Sequence, residues 1–499
     1  MKTSMNTKIN IKQPQANHNR AASEKNNAQT GMGKRLFVIL GMASLSIPLL
    51  LFPVFGRQGA ESDASVTRLP KPGIHLLSDL GDYFSDNFAF RRQLVEGSAR
   101  IKQTAFQTSS IPEKAVVGQS GWLFMADTLD DYFGKRTLSD SALSGISYNL
   151  SILQEQLAAD GKDFLFLIAP NKNSIYPQFM PSRMRCQQSH GNAAFLMEKI
   201  QEQKIHTIDL YGLFRNDPEI RYHKTDSHWT AYGAAMAADR IFSALGKEHT
   251  DFTKHPYTQA QDFSGDVYRM LYPDSTCNDW EVHFDQPFTY DYVTRIESTF
   301  DPEIETRNDT KQGGAFVLRD SFGNALLPFI AEEYGSAYFT RDALYPIYKA
   351  YERGDDTVIF EIVERHLSYL QSHAPVLAMR EVSEEIALES LPESSPLPGD
   401  SLSIEQDPNS GLLQVSGSMD TARLSENGRY YICFLGEDGQ PLIFPAFRGG
   451  VRGLENPDCG ICTYIDLNQL DYGDYGVYIL SGQSGELALS GCLEEFSVE

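Results

Sequence analysis

Residues 315–324 read AFVLRDSFGN, and they place a serine where a strand-like segment runs into a helix-like one. The apolar run ends at Leu318, and a helical pattern begins at Asn324. Ser321 is therefore predicted at the carboxyl end of a strand, where open α/β sheets carry their sites. The first amides of the following helix could stabilise an oxyanion there, whereas the alternative role for Ser321 is a simple helix N-cap.

The segments on either side of this stretch alternate between predicted strands and helices. Strands are predicted from nearly continuous apolar runs and from shorter apolar segments. The predicted strands are at 121–124, 163–170, 206–210, 315–318 and 357–363. Apolar residues every three or four positions predict helices at 138–160 and 192–203, with another beginning near Thr230. This alternation is typical of an α/β fold with a mainly parallel sheet.

Composition divides the chain into segments. The predicted segments are a disordered cytoplasmic tail (1–33), a transmembrane anchor (34–57), a helical stalk (58–110), the α/β domain (111–384), a Pro- and Ser-rich linker (385–402) and a small all-β module of sandwich type (403–499). Short segments between glycine turns, such as GRYYICFLG and YGVYILSG, indicate that the last segment is a module of β-strands.

The membrane anchor is predicted from an apolar run and its flanking charges. Residues 36–56 contain no charged side chain, and 21 residues are enough to cross a bilayer as a helix. Residues 1–57 hold eight basic residues and one acidic residue, which predicts a cytoplasmic tail and an exported remainder. A cleaved signal peptide is the alternative, although VFGRQGAES offers no clean small-x-small cleavage site.

Charge and cysteine usage agree with export. The net charge is −23, and beyond residue 57 the chain carries 35 basic and 65 acidic side chains, which disfavours nucleic-acid binding.

All six cysteines follow the apolar run, where an oxidising compartment allows disulfides. One bridge is predicted between Cys186 and Cys277, and two more among Cys433, Cys459, Cys462 and Cys492. The CGIC at 459–462 could alternatively indicate redox chemistry or zinc, but a structural role is favoured because no second CxxC accompanies it.

A second informative stretch is YHKTDSHWTAYGAAMAA at 222–238. Asp226 and His228 lie two positions apart, just before a predicted helix that Thr230 could cap. A carboxylate so near an imidazole can fix its tautomer and stabilise the imidazolium, so His228 is a candidate general base for a serine. An Asp-x-His pair in a surface loop is the alternative.

Several of these motifs, taken in order, resemble the SGNH-hydrolase-like domain of the alginate O-acetyltransferase proteins (AlgJ/AlgX type) and their DHHW-motif relatives. The segments that carry the resemblance are DNFAFRRQL (86–94), VVGQSGWLF (116–124), IAPNKNSIYP (168–177), TDSHWT (225–230), FSGDVYRML (263–271), VLRDSFGNALLP (317–328) and VIFEIVER (358–365). The resemblance covers residues 75–370 and implies a permuted SGNH fold, because the Asp-His pair precedes the serine.

By this resemblance Ser321 is the nucleophile, His228 the base and Asp226 the residue that orients it. Arg319 stands where SGNH enzymes usually have glycine, and it could bind a substrate oxygen or pair with a carboxylate. The remaining candidates for oxyanion, substrate or bracing contacts are the Ser321 amide, Asn324, Asn173, Lys172 and Tyr176. Structural roles for Arg319, Asn324, Asn173, Lys172 and Tyr176 stay open.

The resemblance implies an O-acetyltransferase without cofactor or metal that modifies an exported polysaccharide. It also implies a membrane-bound O-acyltransferase partner that supplies acetyl. The acidic exported part disfavours a strongly anionic acceptor and favours a neutral or amino-sugar polymer. Three alternatives remain: a carbohydrate esterase with the same triad, a glycan-binding scaffold without activity, and a metal site formed by His223, Asp226 and His228.

Overall fold

The structure, a computed structural model, covers the α/β and β-rich parts of the chain. The described residues are 96–98, 100–103, 108–135, 137–186, 191–273, 275, 278–382, 395–426, 428–437, 439–451, 453–483 and 486–498. The chain divides into two compact units, residues 1–101 and 102–499, and all the sheets lie in the second.

A six-stranded sheet lies at the centre of the α/β part, in the order β3-β10-β8-β9-β7-β6. The strands before residue 385 are β1 (Ala115–Val117), β2 (Leu123–Met125), β3 (Asp163–Ala169), β4 (Tyr257–Phe263), β5 (Asp279–Phe284), β6 (Asp291–Tyr292), β7 (Glu303–Arg307), β8 (Gly314–Leu318), β9 (Ser336–Thr340) and β10 (Thr357–Val363). Strands β3, β10, β8 and β9 are parallel, and β7 and β6 extend the edge in antiparallel fashion. The predicted α/β class with a mainly parallel sheet is therefore confirmed.

Helices pack on both faces of this sheet. They are α1 (Leu129–Tyr132), α2 (Asp140–Ala159), α3 (Lys172–Ile175), α4 (Asn192–Glu202), α5 (Leu210–Arg215), α6 (Ala231–Ala244), α7 (Asp266–Leu271), α8 (Gly323–Glu333), α9 (Tyr348–Glu352) and α10 (Tyr369–Ser372). Alternate residues of β10 face opposite ways, so Ile359 joins one apolar cluster with α6 and α8, and Phe360 joins another with α2 and α4. Burial on both faces explains the uninterrupted apolar sequence of these strands.

The predicted helices and most predicted strands are present, with one exception. Residues 206–210 form a single bridge, from Thr207 to Phe166, instead of a strand. The prediction fails because Asp209 accepts a hydrogen bond from the Gly212 amide at 2.8 Å and thereby starts α5. A side-chain cap has overridden an apolar alternation that suits a strand.

The C-terminal region consists of two antiparallel sheets that enclose an apolar core. Its strands are β11 (Ser401–Gln406), β12 (Leu413–Ser418), β13 (Arg429–Gly436), β14 (Pro441–Pro445), β15 (Phe447–Arg448), β16 (Gly460–Ile465), β17 (Gly473–Gln483), β18 (Glu486–Leu489) and β19 (Glu494–Val498). One sheet runs β11-β12-β16-β15, and the other runs β14-β13-β17-β18 with β19 on β17. Val415 and Ile461 of the first sheet meet Ile432 and Val477 of the second. The β-rich C-terminal region predicted from the sequence is confirmed.

This β-rich region is docked on α2 through buried contacts. Asn149 donates from Nδ2 to the Arg448 carbonyl at 2.6 Å and accepts from the Arg448 amide at 2.7 Å. The Tyr148 hydroxyl exchanges hydrogen bonds with the backbone of Tyr430. Phe447 belongs to the same apolar cluster as Leu153 of α2. Both parts of the chain therefore share one core across this interface.

The predicted membrane anchor and its surroundings lie outside the described residues. The tail (1–33), the apolar run (36–56) and most of the stalk (58–110) fall there, as do residues 385–394 of the linker. Within the described residues, no helix has the length and hydropathy needed to span a bilayer. The anchor stays a prediction.

The predicted bridges among the last four cysteines are wrong, because Cys433, Cys459, Cys462 and Cys492 are free thiols. Cys433 faces the outer apolar cluster of one sheet, and Cys462 faces α2 from the outer side of the other. The two side chains therefore point away from each other across the core. Cys277 lies outside the described residues, so its bridge to Cys186 stays a prediction.

The CGIC segment does not have the properties of a redox site. Burial raises the pKa of Cys462 to about 11 and also raises the pKa of Cys459, so both thiols are protonated near neutral pH. Cys462 lies within β16, and the Asn456 amide group donates to the Cys459 sulfur at 3.2 Å. Both cysteines act as packed side chains.

Replacing Asn149 tests the docking of the β-rich region. Asn149→Ala leaves the buried amide and carbonyl of Arg448 without partners, so we expect a loss of about 2 kcal/mol in the free energy of unfolding. Urea denaturation followed by circular dichroism measures this change. Ser151→Ala, a half-buried position on the same helix whose hydroxyl makes only a solvent-exposed hydrogen bond, serves as the control and should change stability little. Equal stability of the two variants would contradict the docking described.

Candidate active site

Ser321 lies in the turn between β8 and α8, as the sequence predicts. The carboxylate of the preceding Asp320 fixes this turn, because it accepts from the Phe322 amide at 2.8 Å and from the Val363 amide at the end of β10 at 2.7 Å. Gly323 permits the tight turn, since a Cβ there would lie 2.5 Å from the Cβ of Arg319. The turn is thus fastened to the neighbouring strand.

His228 reaches Ser321 from a loop that precedes α6. The loop is closed by a bridge between Tyr222 and Trp229, and Thr230 accepts from the Gly233 amide at 3.2 Å to cap the helix, as predicted. His228 Nε2 lies 2.8 Å from Ser321 Oγ, and His228 Nδ1 lies 2.6 Å from Asp226 Oδ1. The structure therefore brings the three predicted catalytic side chains into one hydrogen-bonded line.

The surroundings of Asp226 favour its ionised form. Burial opposes the charge, but the hydrogen bond and charge of His228, with amide hydrogen bonds from Asp266 and His228, hold the pKa of Asp226 below its ordinary value. An ionised Asp226 accepts a hydrogen bond from the Nδ1–H group of His228, which leaves the lone pair of Nε2 facing the serine hydroxyl. This arrangement suits proton transfer from Ser321 to His228.

Lys172 braces the loop that carries the Asp-His pair. From the start of α3 its buried ammonium donates to the carbonyls of His223 at 3.0 Å, Lys224 at 3.2 Å and Asp226. Burial lowers the pKa of Lys172 to about 8, an effect that the nearby aspartates partly offset. All its hydrogen bonds go to backbone, so the structure supports the bracing role left open by the sequence.

Arg319 and Asn324 support the helix that follows the serine. Arg319 donates from Nη2 to the Asp301 carbonyl at 2.8 Å and from Nη1 to Asn324 Oδ1, and it is 5% exposed. It thus contacts a carbonyl and an amide oxygen instead of the suggested carboxylate, and contact with a substrate oxygen stays a prediction. Asn324 Nδ2 is buried without a partner among the described residues, and its predicted role as an oxyanion donor stays open.

Tyr176 and Asn173 have structural contacts. The Tyr176 hydroxyl accepts from the Arg221 amide at 2.8 Å, near the start of the histidine loop. Asn173 donates from Nδ2 to Thr128 Oγ1 at 2.8 Å, so the amide group that was a candidate oxyanion donor is already engaged. Both residues brace the walls of the site.

The backbone around Ser321 offers candidate oxyanion donors. Within the described residues, the amides of Ser321 and Gly323 have no hydrogen-bond acceptor, whereas those of Phe322 and Asn324 are bonded to Asp320 and to the Ser321 carbonyl. Free amides beside a nucleophile at a helix start are suited to a developing negative charge.

Two carboxylates that the sequence did not single out, the partly buried Asp266 and the buried Glu361, lie beside the line of three residues. Asp266 lies beside His228, with Oδ2 at 3.7 Å from Nδ1, and Glu361 of β10 accepts from the Asp320 amide at 2.9 Å. Burial and the neighbouring Asp320 charge raise the pKa of Glu361 well above its ordinary value. Asp266 is the acidic residue of FSGD (263–266), a segment that is recognisable in the sequence, but its spacing does not link it to His228.

The alternative metal site does not form from the residues proposed for it. His223 Nε2 lies 3.1 Å from Glu281 Oε2, and its ring stacks on Phe263, with the ring centroids 3.8 Å apart. Among the described residues, the acids and histidine close enough for one cation are Asp226, His228 and Asp266. Their mutual hydrogen bonds account for this proximity.

Comparison with known proteins identifies the class of domain. Residues 115–306 match the family described as SGNH hydrolase-like domain, acetyltransferase AlgX, which confirms the resemblance predicted from the sequence. The matched segment contains Asp226 and His228 and ends before Ser321. The chain thus carries an acetyltransferase-type SGNH-like domain followed by a β-rich region. No curated protein sequence matches it.

Similar solved structures include three bacterial proteins. PatB1 of Bacillus cereus is 16% identical, with 51% of this chain and 96% of that chain covered at a TM-score of 0.41. A DHHW family protein of Eubacterium siraeum is 15% identical, with coverage of 53% and 100% and a TM-score of 0.39. The O-acetyltransferase domain of Pseudomonas putida AlgJ is 17% identical, with coverage of 51% and 92% and a TM-score of 0.34.

The lowered pKa of Lys172 predicts a specific pH dependence of stability. The native amine releases its proton near pH 8, whereas an unfolded lysine holds its proton up to about 10.5, so folding releases a proton between these values. The unfolded chain then binds more protons, and the free energy of unfolding should rise with pH across this window.

The variant Lys172→Met lacks this titrating group. We expect its free energy of unfolding, measured by urea denaturation at pH 8, 9 and 10, to rise less with pH than that of the wild type. Its absolute stability should also fall, because three backbone carbonyls, two of them in buried hydrogen bonds, lose a donor. Parallel pH profiles for the two proteins would contradict the assigned titration.

Proposed function

We propose that this protein transfers acetyl groups to hydroxyls of an exported polysaccharide through an acetyl-Ser321 intermediate. The observation that carries the proposal is the 2.8 Å contact between His228 Nε2 and Ser321 Oγ, completed by Asp226. The match of residues 115–306 to an acetyltransferase family supports acetyl as the transferred group.

The first half of the reaction forms the acetyl-serine. Ser321 Oγ attacks the acetyl carbonyl carbon while His228 Nε2 takes the hydroxyl proton, and Asp226 stabilises the resulting imidazolium. The amides of Ser321 and Gly323 stabilise the oxyanion of the tetrahedral intermediate. The bond to the donor's leaving oxygen then breaks, and the imidazolium gives its proton to that oxygen.

The second half returns the enzyme to its starting state. A sugar hydroxyl gives its proton to His228 Nε2 and attacks the acetyl-serine carbonyl. Collapse of the second tetrahedral intermediate breaks the bond to Ser321 Oγ, which recovers its proton from the imidazolium. Water in place of the sugar would make the same residues an esterase, so the acceptor must outcompete water for the intermediate.

The setting of the reaction follows from the sequence. We propose that the N-terminal apolar run holds the enzyme in the membrane with the catalytic domain outside the cytoplasm, and that a membrane-bound O-acyltransferase delivers acetyl. The excess of acidic side chains beyond residue 57 supports a neutral or amino-sugar acceptor over a polyuronate, because like charges would slow their encounter.

Removing the nucleophile tests the proposal directly. We expect Ser321→Ala to lose acetyl transfer from p-nitrophenyl acetate to an oligosaccharide by at least about 10³-fold, because no covalent intermediate can form. Mass spectrometry of the wild type incubated with donor alone should show one acetyl group on the peptide that contains Ser321. Ser368→Ala, at a partly buried serine outside the line of three residues, should retain activity.

The acceptor distinguishes transfer from hydrolysis. Acetylated oligosaccharide should accumulate with the wild type, and acceptor should accelerate donor consumption. Release of acetate alone at every acceptor concentration would favour the esterase, whereas equal activity of Ser321→Ala and wild type would contradict a catalytic serine and favour the scaffold.

A further inference from the structure

The proposed mechanism leaves Asp266 without a role, although this carboxylate lies close to the imidazole. Its Oδ2 is 3.7 Å from His228 Nδ1, on the same side of the ring as Asp226. Its backbone amide donates to Asp226 Oδ2 at 2.6 Å. Two carboxylates therefore face one imidazole nitrogen, and one of them also orients the other.

Ser227 holds Asp266 in this position. The Ser227 amide donates to Asp266 Oδ1 at 2.8 Å, and the Ser227 hydroxyl donates to Oδ2 at 2.5 Å. Ser227 lies between Asp226 and His228 in sequence, so Asp266 is hydrogen-bonded to the middle residue of the Asp-x-His segment. Each carboxylate oxygen of Asp266 accepts a hydrogen bond from Ser227 in the loop that carries Asp226 and His228, which fixes the rotation of the carboxylate.

The backbone is shaped to bring Asp266 this close. Gly265 precedes it, and a Cβ at that position would lie 2.3 Å from the Thr225 carbonyl oxygen. The Tyr268 amide of α7 donates to the same carbonyl at 3.1 Å. Only glycine allows the start of α7 to pack against the catalytic loop at this distance, which accounts for the Gly-Asp order in FSGD.

We infer that Asp266 is a positioning residue of the reaction, which fixes the Asp-x-His loop and adds a second negative charge that stabilises the His228 imidazolium. The inference rests on the proposed role of His228 as the base. An imidazolium beside two carboxylates is stabilised relative to one beside a single carboxylate. Since the imidazolium forms as Ser321 attacks, Asp266 should contribute to the rate without touching substrate.

The titration behaviour of Asp266 agrees with this arrangement. Burial and the neighbouring Asp226 charge raise the pKa of Asp266, while the positive charge of His228 and the Ser227 hydrogen bond oppose that rise. The His228 charge and the Ser227 hydrogen bond are thus the two interactions that favour ionised Asp266, against the larger effects of burial and Asp226. The charged groups around this cluster are Asp226, Asp266, Lys172, Asp279 and, beyond the Phe322 ring, Arg365.

Asp279 provides a matched control. Its Oδ2 accepts from the Thr225 amide at 2.7 Å and from the Thr225 hydroxyl at 2.9 Å, so it braces the same loop with the same kind of bonds. It makes no hydrogen bond or ion pair with His228 within the described part of the chain. Asp279→Asn should therefore loosen the loop without removing a charge from the imidazole.

The test measures how fast phenylmethylsulfonyl fluoride labels Ser321 between pH 5 and 9. Labelling needs neither acetyl donor nor glycan, because Ser321 Oγ bonds to sulfur, fluoride leaves and His228 takes the proton. The acid limb of the pH profile is the range in which the labelling rate falls as the pH is lowered. Asp266→Asn should move this limb down by about one pH unit and should lower the maximum labelling rate about tenfold. Asp279→Asn should leave the limb in place, and Asp266→Glu, which keeps the charge, should do so as well.

The outcomes separate the possible failures. The inference would be overturned if the labelling rate fell at the same acid pH in the wild type and in Asp266→Asn. It would also be overturned if Asp279→Asn displaced this pH as much as Asp266→Asn does. Absence of labelling in the wild type would instead refute the proposed nucleophile. Asp266→Ser is a second neutral variant that can still accept a hydrogen bond from Ser227, and it should show the same shift of the acid limb as Asp266→Asn. The pH of the acid limb is measured in whichever neutral variant keeps a wild-type thermal transition. If neither does while Asp279→Asn folds normally, the role is structural and the inference is wrong.

Discussion

The imidazole of His228 joins two parts of the chain that are 93 positions apart, and the chemistry depends on this one contact. Ser321 is held by the sheet, because Asp320 fastens its turn to the end of β10. His228 is held by a loop that has no strand of its own beyond a single bridge between Tyr222 and Trp229. The loop must therefore be fixed by side chains, and the buried polar residues around it do this.

Burial makes that fixation costly and specific. Lys172 is withdrawn from water, which lowers its pKa, and it recovers interaction energy from three backbone carbonyls and nearby aspartates. Burial opposes the charge of Asp226, which is favoured by the hydrogen bonds it accepts from His228 and Asp266 and by the His228 charge. Removing any one of these groups leaves another buried and unsatisfied, so the loop has few alternative conformations of similar energy.

The sequence was sufficient for the parts of the structure that depend on local pattern. Continuous apolar runs predicted β3, β8 and β10, and the strand-to-helix transition placed Ser321 correctly. The edge strands β6 (DY) and β7 (EIETR) are not predicted, because their largely polar and charged sequences resemble solvated loops. The all-β C-terminal region was predicted from its glycine turns, but its wrong cysteine pairing arose because sequence does not reveal which face of a sheet a side chain occupies.

The candidate site was predictable to the same extent. Asp226 and His228 are two positions apart and could be recognised as a pair, whereas Asp266 is 40 positions from Asp226 and meets it only because α7 packs on the loop. The sequence presents Asn173 as a candidate oxyanion donor, but its amide group donates to Thr128. Long-range packing decides such roles, and single-sequence patterns carry little information about it.

The shared core between α2 and the β-rich region has a consequence for how this chain can change. Phe447, Cys462 and Tyr464 complete an apolar cluster that also contains Leu153 and the sheet residue Phe360. A chain shortened after the α/β part would expose these α2 and sheet contacts to water, and a foreign module grafted in its place would have to reproduce them. The two parts are therefore expected to unfold together, as one cooperative unit.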